Sequence, residues 1–124
     1  MRVLICGDRD WTDPGPIDTL LMNLVYEIAT NGGGPLVVIQ GGARGADAIA
    51  RERCEYHDIR CEQYDADWTT YGPAAGPIRN ERMLKEGRPD VLYAFHDDIE
   101  KSRGTKDMVN RARRAGVRCR IVTH

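Results

Sequence analysis

Three short stretches carry residue types suited to holding phosphate. In "QGGARGADAIA", residues 40 to 50, Gly41, Gly42 and Gly45 with Ala43 join a β-branched run to a helical pattern. Glycine permits positive φ and lets a phosphate approach the backbone, while the N–H groups of a helix start form an anion site. The spacing is neither G-x-G-x-x-G nor Walker A, which needs Gly-Lys-Ser/Thr; it also fits a tight turn with no ligand. Asp47, in the first turn of that helix, stabilises its macrodipole. In "SRGTKD", residues 102 to 107, Gly104 offers close approach, Thr105 a hydroxyl and Arg103 a charge. Ser102 or Thr105 equally serves there as an ordinary N-cap.

The third stretch is "YGPAAGPIRNERML", residues 71 to 84. Helix neighbours are three or four residues apart, so Arg79 and Asn80 open the face that Met83 and Leu84 bury. With a helix running from about Pro77 to Glu86, both fall in its first turn and point into a rim cleft. An arginine there opposes the macrodipole by about 0.3–1 kcal/mol, which a phosphate or carboxylate counter-ion would offset. An ion pair with Asp8, Asp97 or another local acid is the alternative, and Glu81 and Arg82 fall on the outer face.

Around these lie weaker signals. Gly7 and Arg9 follow the first apolar run, with Trp11 close behind, and Trp68 and Tyr71 occupy a later loop. Aromatics in such loops either stack on a base or seal the loop onto the body. His96, Asp97 and Asp98 have side chains for Mg²⁺ or acid–base work, but a charged run after a strand reads first as a solvated loop, so Mg²⁺ is not expected. Cys54, His57 and Cys61 straddle a helix end and a strand start and lack a fourth ligand, so no metal site is expected. With no C-x-x-C pair, the four cysteines read as free thiols in a reducing compartment.

The elements that must position these residues show in the hydrophobic period, which alternates between two and 3.6 with Gly, Pro or Asp at each switch. Strands are expected at 2 to 6, 35 to 40, from Ile59, at 90 to 96 and at 117 to 122. Helices follow the first four, the first burying Ile17, Leu20, Leu21, Leu24 and Ile28, the second Ala46, Ile49, Ala50 and Cys54, the last Met108, Val109 and Ala112. Residues 66 to 76 read as a loop. Strands joined by helices give right-handed crossovers, and hence an α/β fold, a single Rossmann-like three-layer α/β/α sandwich of about five parallel strands over residues 1 to 124. The order 3-2-1-4-5 puts the most apolar strands in the middle and the loops after strands one and four at the switch point, where open α/β sheets bind ligands.

Composition narrows the rest. A net charge of −1 gives no general attraction to nucleic acid or anionic membranes, so an anion site must be local. Fifteen of the eighteen Lys and Arg residues are arginine, the residue for planar, bidentate recognition of phosphate, although codon usage explains the bias as simply. No basic run with interleaved aromatics appears, so nucleic acid is not an expected partner. No apolar run approaches the ~20 residues of a membrane span, and the first residues enter a strand pattern directly. A cytoplasmic protein is expected.

Taken together and in order, "GDRDW", "GGARGADAIA", "GPIRNERML" and "RGTKDMV" resemble the small Rossmann-like proteins related to YspA and YpsA. These belong to the SLOG superfamily, with DprA/Smf and the LOG phosphoribohydrolases. The resemblance covers nearly the whole chain and implies a nucleotide or nucleotide-derived ligand at the C-terminal ends of the strands, held by Gly7, Arg9, Gly41, Gly42, Ala43, Gly45, Arg79, Asn80, Gly104 and Thr105. It implies no fixed cofactor and leaves self-association open. In the LOG enzymes an Arg-Lys pair and the glutamate of P-G-G-x-G-T-x-x-E remove a base from a nucleoside monophosphate. Here Arg79 matches the arginine and Gly104-Thr105 the glycine and threonine, but Asn80 replaces lysine, Lys101, Ser102 and Arg103 replace the Pro-Gly-Gly run, and Met108 stands at the glutamate.

Binding for sensing or sequestration is therefore expected ahead of hydrolysis. The alternatives are a nucleotide-processing hydrolase using Asp107, Glu81 or Asp8, or a partner-binding protein with a vestigial cleft.

Overall fold

Each change of period in the sequence is a strand–helix junction in the computed structural model, which describes residues 1–124. The chain runs β1 (Arg2–Gly7), α1 (Gly15–Asn31), β2 (Val37–Gln40), α2 (Ala46–Tyr56), β3 (Arg60–Gln63), α3 (Trp68–Tyr71), α4 (Ala75–Lys85), β4 (Val91–Phe95), α5 (Arg103–Arg114) and β5 (Arg118–Val122). All neighbouring strands pair in parallel, in the order β3-β2-β1-β4-β5.

That order follows from burial. Leu4 of β1 sits between Ile39 of β2 and Leu92 of β4. All three are on the face covered by α4 and α5, with Met83, Met108, Val109 and Ala112 above them. The alternate residues Val3, Ile5, Val38, Val91 and Phe95 meet α1 and α2 on the other face, with Ile17, Leu21, Leu24, Ala50 and Cys54. A strand buried on both faces has no polar alternation, which is why β1, β2 and β4 read as continuous apolar runs. The edges β3 and β5 carry Arg60, Glu62, Arg118 and Arg120.

Two expectations change. Residues 66–76 are not simply a loop: Asp67 caps the short α3, its carboxylate accepting the Thr70 N–H at 3.1 Å, and a 3₁₀ turn at Gly72–Ala74 runs straight into α4. As a result α4 begins at Ala75, not Pro77, and Arg79 is its fifth residue. Proline in the first turn lacks only an N–H that the helix does not use, so Pro77 tolerates the earlier start. No helix is long and apolar enough to cross a membrane.

Candidate functional site

At the C-terminal ends of β1 and β4 the crossovers diverge, and a cleft of about 560 Å³ opens between the loop after β1, the start of α2, α4 and the first turn of α5. A second lobe of about 360 Å³ adjoins it, and Arg9, Ala43, Arg44, Trp68 and Arg79 line both. Of the expected site residues, Gly7, Arg9, Ala43, Arg79, Asn80, Gly104 and Thr105 line the larger lobe, Gly41 and Gly42 the smaller, and Gly45 neither.

Arg79 stands where the lobes meet, with 9% of its surface exposed. Its Nε donates to Asn80 Oδ1 at 3.0 Å and its Nη1 donates to the Gly41 carbonyl. Burial pulls its pKa down, and the charge of Asp47 works against that shift. The acids expected as alternative partners are turned elsewhere. Asp8 Oδ1 accepts the Asp10 N–H at 2.8 Å, and Asp97 accepts both the backbone N–H and the ring of His124. The helix-dipole argument does not apply to Arg79, which lies beyond the first turn.

The glycine loop has a different role from the one its sequence suggests. Asp47 Oδ2 accepts the N–H groups of Gly41 and Ala43, at 3.1 and 3.3 Å. Gly42 N–H donates to Gln40 Oε1 and Ala46 N–H to the Asp8 carbonyl. These donors are spent within the chain, so a carboxylate fills the position a phosphate would take in a P-loop. A Cβ on Gly41 would stand 2.6 Å from Arg79 Nη1, on Gly42 2.3 Å from Asp65 Oδ1, and on Gly45 2.2 Å from the Asp8 carbonyl oxygen. At Gly41 and Gly42 the obstacle is the end of a side chain, and the φ of 71° at Gly42 favours glycine as well; at Gly45 it is backbone, so glycine is required. Gly7 is similar, its Cβ position lying 2.3 Å from the Phe95 carbonyl.

Asp47 itself is the residue that sequence reasoning undervalued. Burial pushes its carboxyl up to about 6, against the lowering effects of the Ala43 N–H, Arg79, the Gly41 N–H and Arg9. Its position six residues after Gly41, at the start of a helix, was the available signal.

Gly104 differs from the other glycines, since nothing lies within 4 Å of a Cβ placed on it. Ser102 caps α5 by accepting the Thr105 N–H at 3.0 Å, and Thr105 is buried. The first turn of a helix has N–H groups without intrahelical partners, and here it opens onto the cleft beside Lys101 and Arg103.

Asn80 Nδ2 donates to Asp107 Oδ2 at 3.0 Å, linking α4 to α5. The same oxygen accepts Arg111 Nε at 2.9 Å, and Arg111 Nη1 reaches Glu81 at 3.1 Å. Glu81 also pairs with Lys85 and lines neither lobe, so it is removed from the cleft, whereas Asp107, Asp8 and the buried Met108 line it. The Cys6 thiol at the cleft floor is held protonated by burial, which raises its pKa well above the ordinary value.

The aromatics separate cleanly. Trp11 is buried, stacked on His124 at 4.0 Å and edge-on to Phe95 at 5.7 Å, so it seals its loop. Trp68 is 49% exposed, lines both lobes and lies 5.8 Å from the Arg9 guanidinium carbon. Tyr71 is exposed and lines neither. His57 bonds Asp18 at 2.6 Å, apart from any use with Cys54 and Cys61, and no group of three or more His, Cys, Asp or Glu is placed to hold a metal ion.

Comparison with known proteins agrees with the fold. The model of the YspA, cpYpsA-related SLOG family matches residues 1–71. The Gene 61 protein of Mycobacterium phage D29 is 39% identical over 121 residues, covering 94% of this chain and 91% of that protein.

Proposed function

Because this chain belongs to the YspA, cpYpsA-related SLOG family, we propose that its cleft binds a nucleotide or nucleotide-derived small molecule, for sensing or sequestration. The observation that carries the reading is Arg79, a guanidinium 9% exposed between two lobes, which hydrogen-bonds Asn80 and the Gly41 carbonyl, bonds no carboxylate directly, and has the charge of Asp47 as its main compensation. Burying a charge that no carboxylate bonds directly is costly, and an anion in the cleft offsets that cost. The phosphate then lies between Arg79, Arg9 and the open first turn of α5 at Gly104 and Thr105, where the N–H groups not taken by the Ser102 cap and the helix dipole favour negative charge. Asn80 holds Arg79 in place, Ala43 and Gly41 with Gly42 shape the wall, and Trp68 gives a base its stacking face.

Met108 supports binding over hydrolysis. Breaking an N-glycosidic bond develops a cationic ribosyl centre, which a carboxylate stabilises while handling water; a thioether does neither.

The test is thermal unfolding with nucleoside mono-, di- and triphosphates, cyclic dinucleotides, NAD and ADP-ribose, followed by chromatography of each mixture. A ligand at 100 times its Kd adds about 2.7 kcal/mol. The expected result is a raised Tm that Arg79→Ala and Arg9→Ala reduce, with the ligand recovered intact. Released base or ribose phosphate would instead make the protein a hydrolase using Asp107 or Asp8. No shift with any nucleotide would overturn the reading.

A further inference from the structure

The phosphate site leaves a second pair of groups unused. His96 follows β4 and is 8% exposed, yet it lines the cleft. Its Nδ1 accepts the Asp98 N–H at 2.9 Å. A ring nitrogen that accepts carries no proton, so the ring proton of the neutral imidazole sits on Nε2. That nitrogen makes no hydrogen bond within the chain and lies 3.9 Å from Asp8 Oδ2, too far for a direct bond. Asp8 Oδ1 is occupied by the Asp10 N–H at 2.8 Å, so Oδ2 is the oxygen left over. A fixed donor and a fixed acceptor thus face one another across a gap in the cleft wall.

One chemical group satisfies both at once. An oxygen about 2.8 Å from each atom sees them roughly 90° apart, and it must accept from Nε2–H while donating to the carboxylate. A hydroxyl does this, either that of a ligand or that of a water the ligand displaces. The oxygen of a fully ionised phosphate does not, since it has no proton to give Asp8, and a base carbonyl fails for the same reason. An ammonium would leave the Nε2–H facing another donor.

Resting on the proposed nucleotide-binding function, we propose that His96 and Asp8 form a hydroxyl-reading pair that engages the ribose and makes the cleft selective for ribonucleotides over deoxyribonucleotides. The two residues come from the ends of β1 and β4, the strands flanking the switch point. A ligand with its phosphate at α5 and its base toward Trp68 carries its sugar between those ends.

Calorimetric titration tests the pair with adenosine and guanosine 5′-monophosphates, their 2′-deoxy and 3′-deoxy counterparts, and inorganic pyrophosphate, which has no sugar. A hydrogen bond to a charged group corresponds to roughly ten- to a hundredfold in Kd, so the wild type should bind a ribo form at least about tenfold more tightly than one deoxy form. In His96→Asn the shorter amide still accepts the Asp98 N–H but presents no donor at the Nε2 position. In Asp8→Asn the acceptor facing His96 becomes a donor. Both variants should bring the ribo and deoxy affinities together, and His96→Gln, which places an amide donor near the Nε2 position, should restore part of the difference. Equal wild-type affinities for ribo and deoxy forms, or discrimination that survives both substitutions, overturn the pair while the nucleotide reading stands. Binding of pyrophosphate without either nucleotide, or of no probe at all, overturns the pair, and the nucleotide reading falls with it where the wider nucleotide panel also leaves the Tm unchanged.

Discussion

Asp47 shows how one residue can reverse the reading of a motif. A glycine-rich βα junction was expected to present N–H groups to phosphate, but Gly41 and Ala43 give theirs to the Asp47 carboxylate. Position in the sequence placed Asp47 in the first turn of α2; the folding back of the loop onto it is tertiary and was not legible. Its pKa of about 6 in the folded chain, against an ordinary 3.8, means protonation favours the fold. That contribution is complete below pH 3.8 and lost as the pH rises through 6, a span worth about 3 kcal/mol. Asp47→Asn keeps an amide oxygen for both N–H groups and has no proton to lose. Urea unfolding at pH 4 and pH 7 should therefore show the wild type weakening by about 2 kcal/mol relative to Asp47→Asn, whereas parallel profiles would mean the carboxylate is not desolvated. Arg79 was legible in part: helical spacing gave its face, but its burial depends on α4 starting at Ala75.

At the scale of elements, the two glycine-bearing helix starts look alike in sequence and act differently. Gly45 precedes α2 with φ 77° and packs against the backbone of Asp8 and Arg9; Gly104 lies inside α5 and faces open space. Gly45→Ala puts a methyl group into a carbonyl oxygen and strains a left-handed backbone, which should lower stability by more than 1 kcal/mol or so. Gly104→Ala meets no atom and gains helix propensity, up to about 1 kcal/mol. Its methyl group instead projects into the space proposed for phosphate, so the nucleotide-induced Tm shift should shrink while the unliganded Tm holds or rises. A Gly104→Ala protein with an undiminished shift would move the phosphate away from α5. Side-chain type and spacing showed where these helices begin, as with Ser102 capping α5. Only the neighbours of each Cβ position tell a packing glycine from one that leaves room.

For the whole molecule, polarity told central strands from edge strands, because a central strand is apolar on both faces and an edge strand is not, while the order of β2, β1 and β4 among themselves is set by the packing of the crossovers. The layers so formed set one core face away from the cleft and the other beside it. The face under α1 and α2 buries Leu21 against Val3, Ile5 and Val38, on the side of the sheet away from α4. The other face holds Met83, which lines the cleft one helical turn beyond Arg79. Both side chains are almost wholly enclosed, so truncating either leaves a cavity and costs about 2–5 kcal/mol. Their effects on the cleft should part. Leu21→Ala should lower the urea midpoint and leave the Kd of a bound nucleotide unchanged, because the sheet lies between it and the site. Met83→Ala should lower the midpoint comparably and weaken binding, since α4 can settle into the vacated space and carry Arg79 with it. Equal loss of affinity in both variants would mean that the sheet transmits packing changes to the cleft, and that its layers do not act independently.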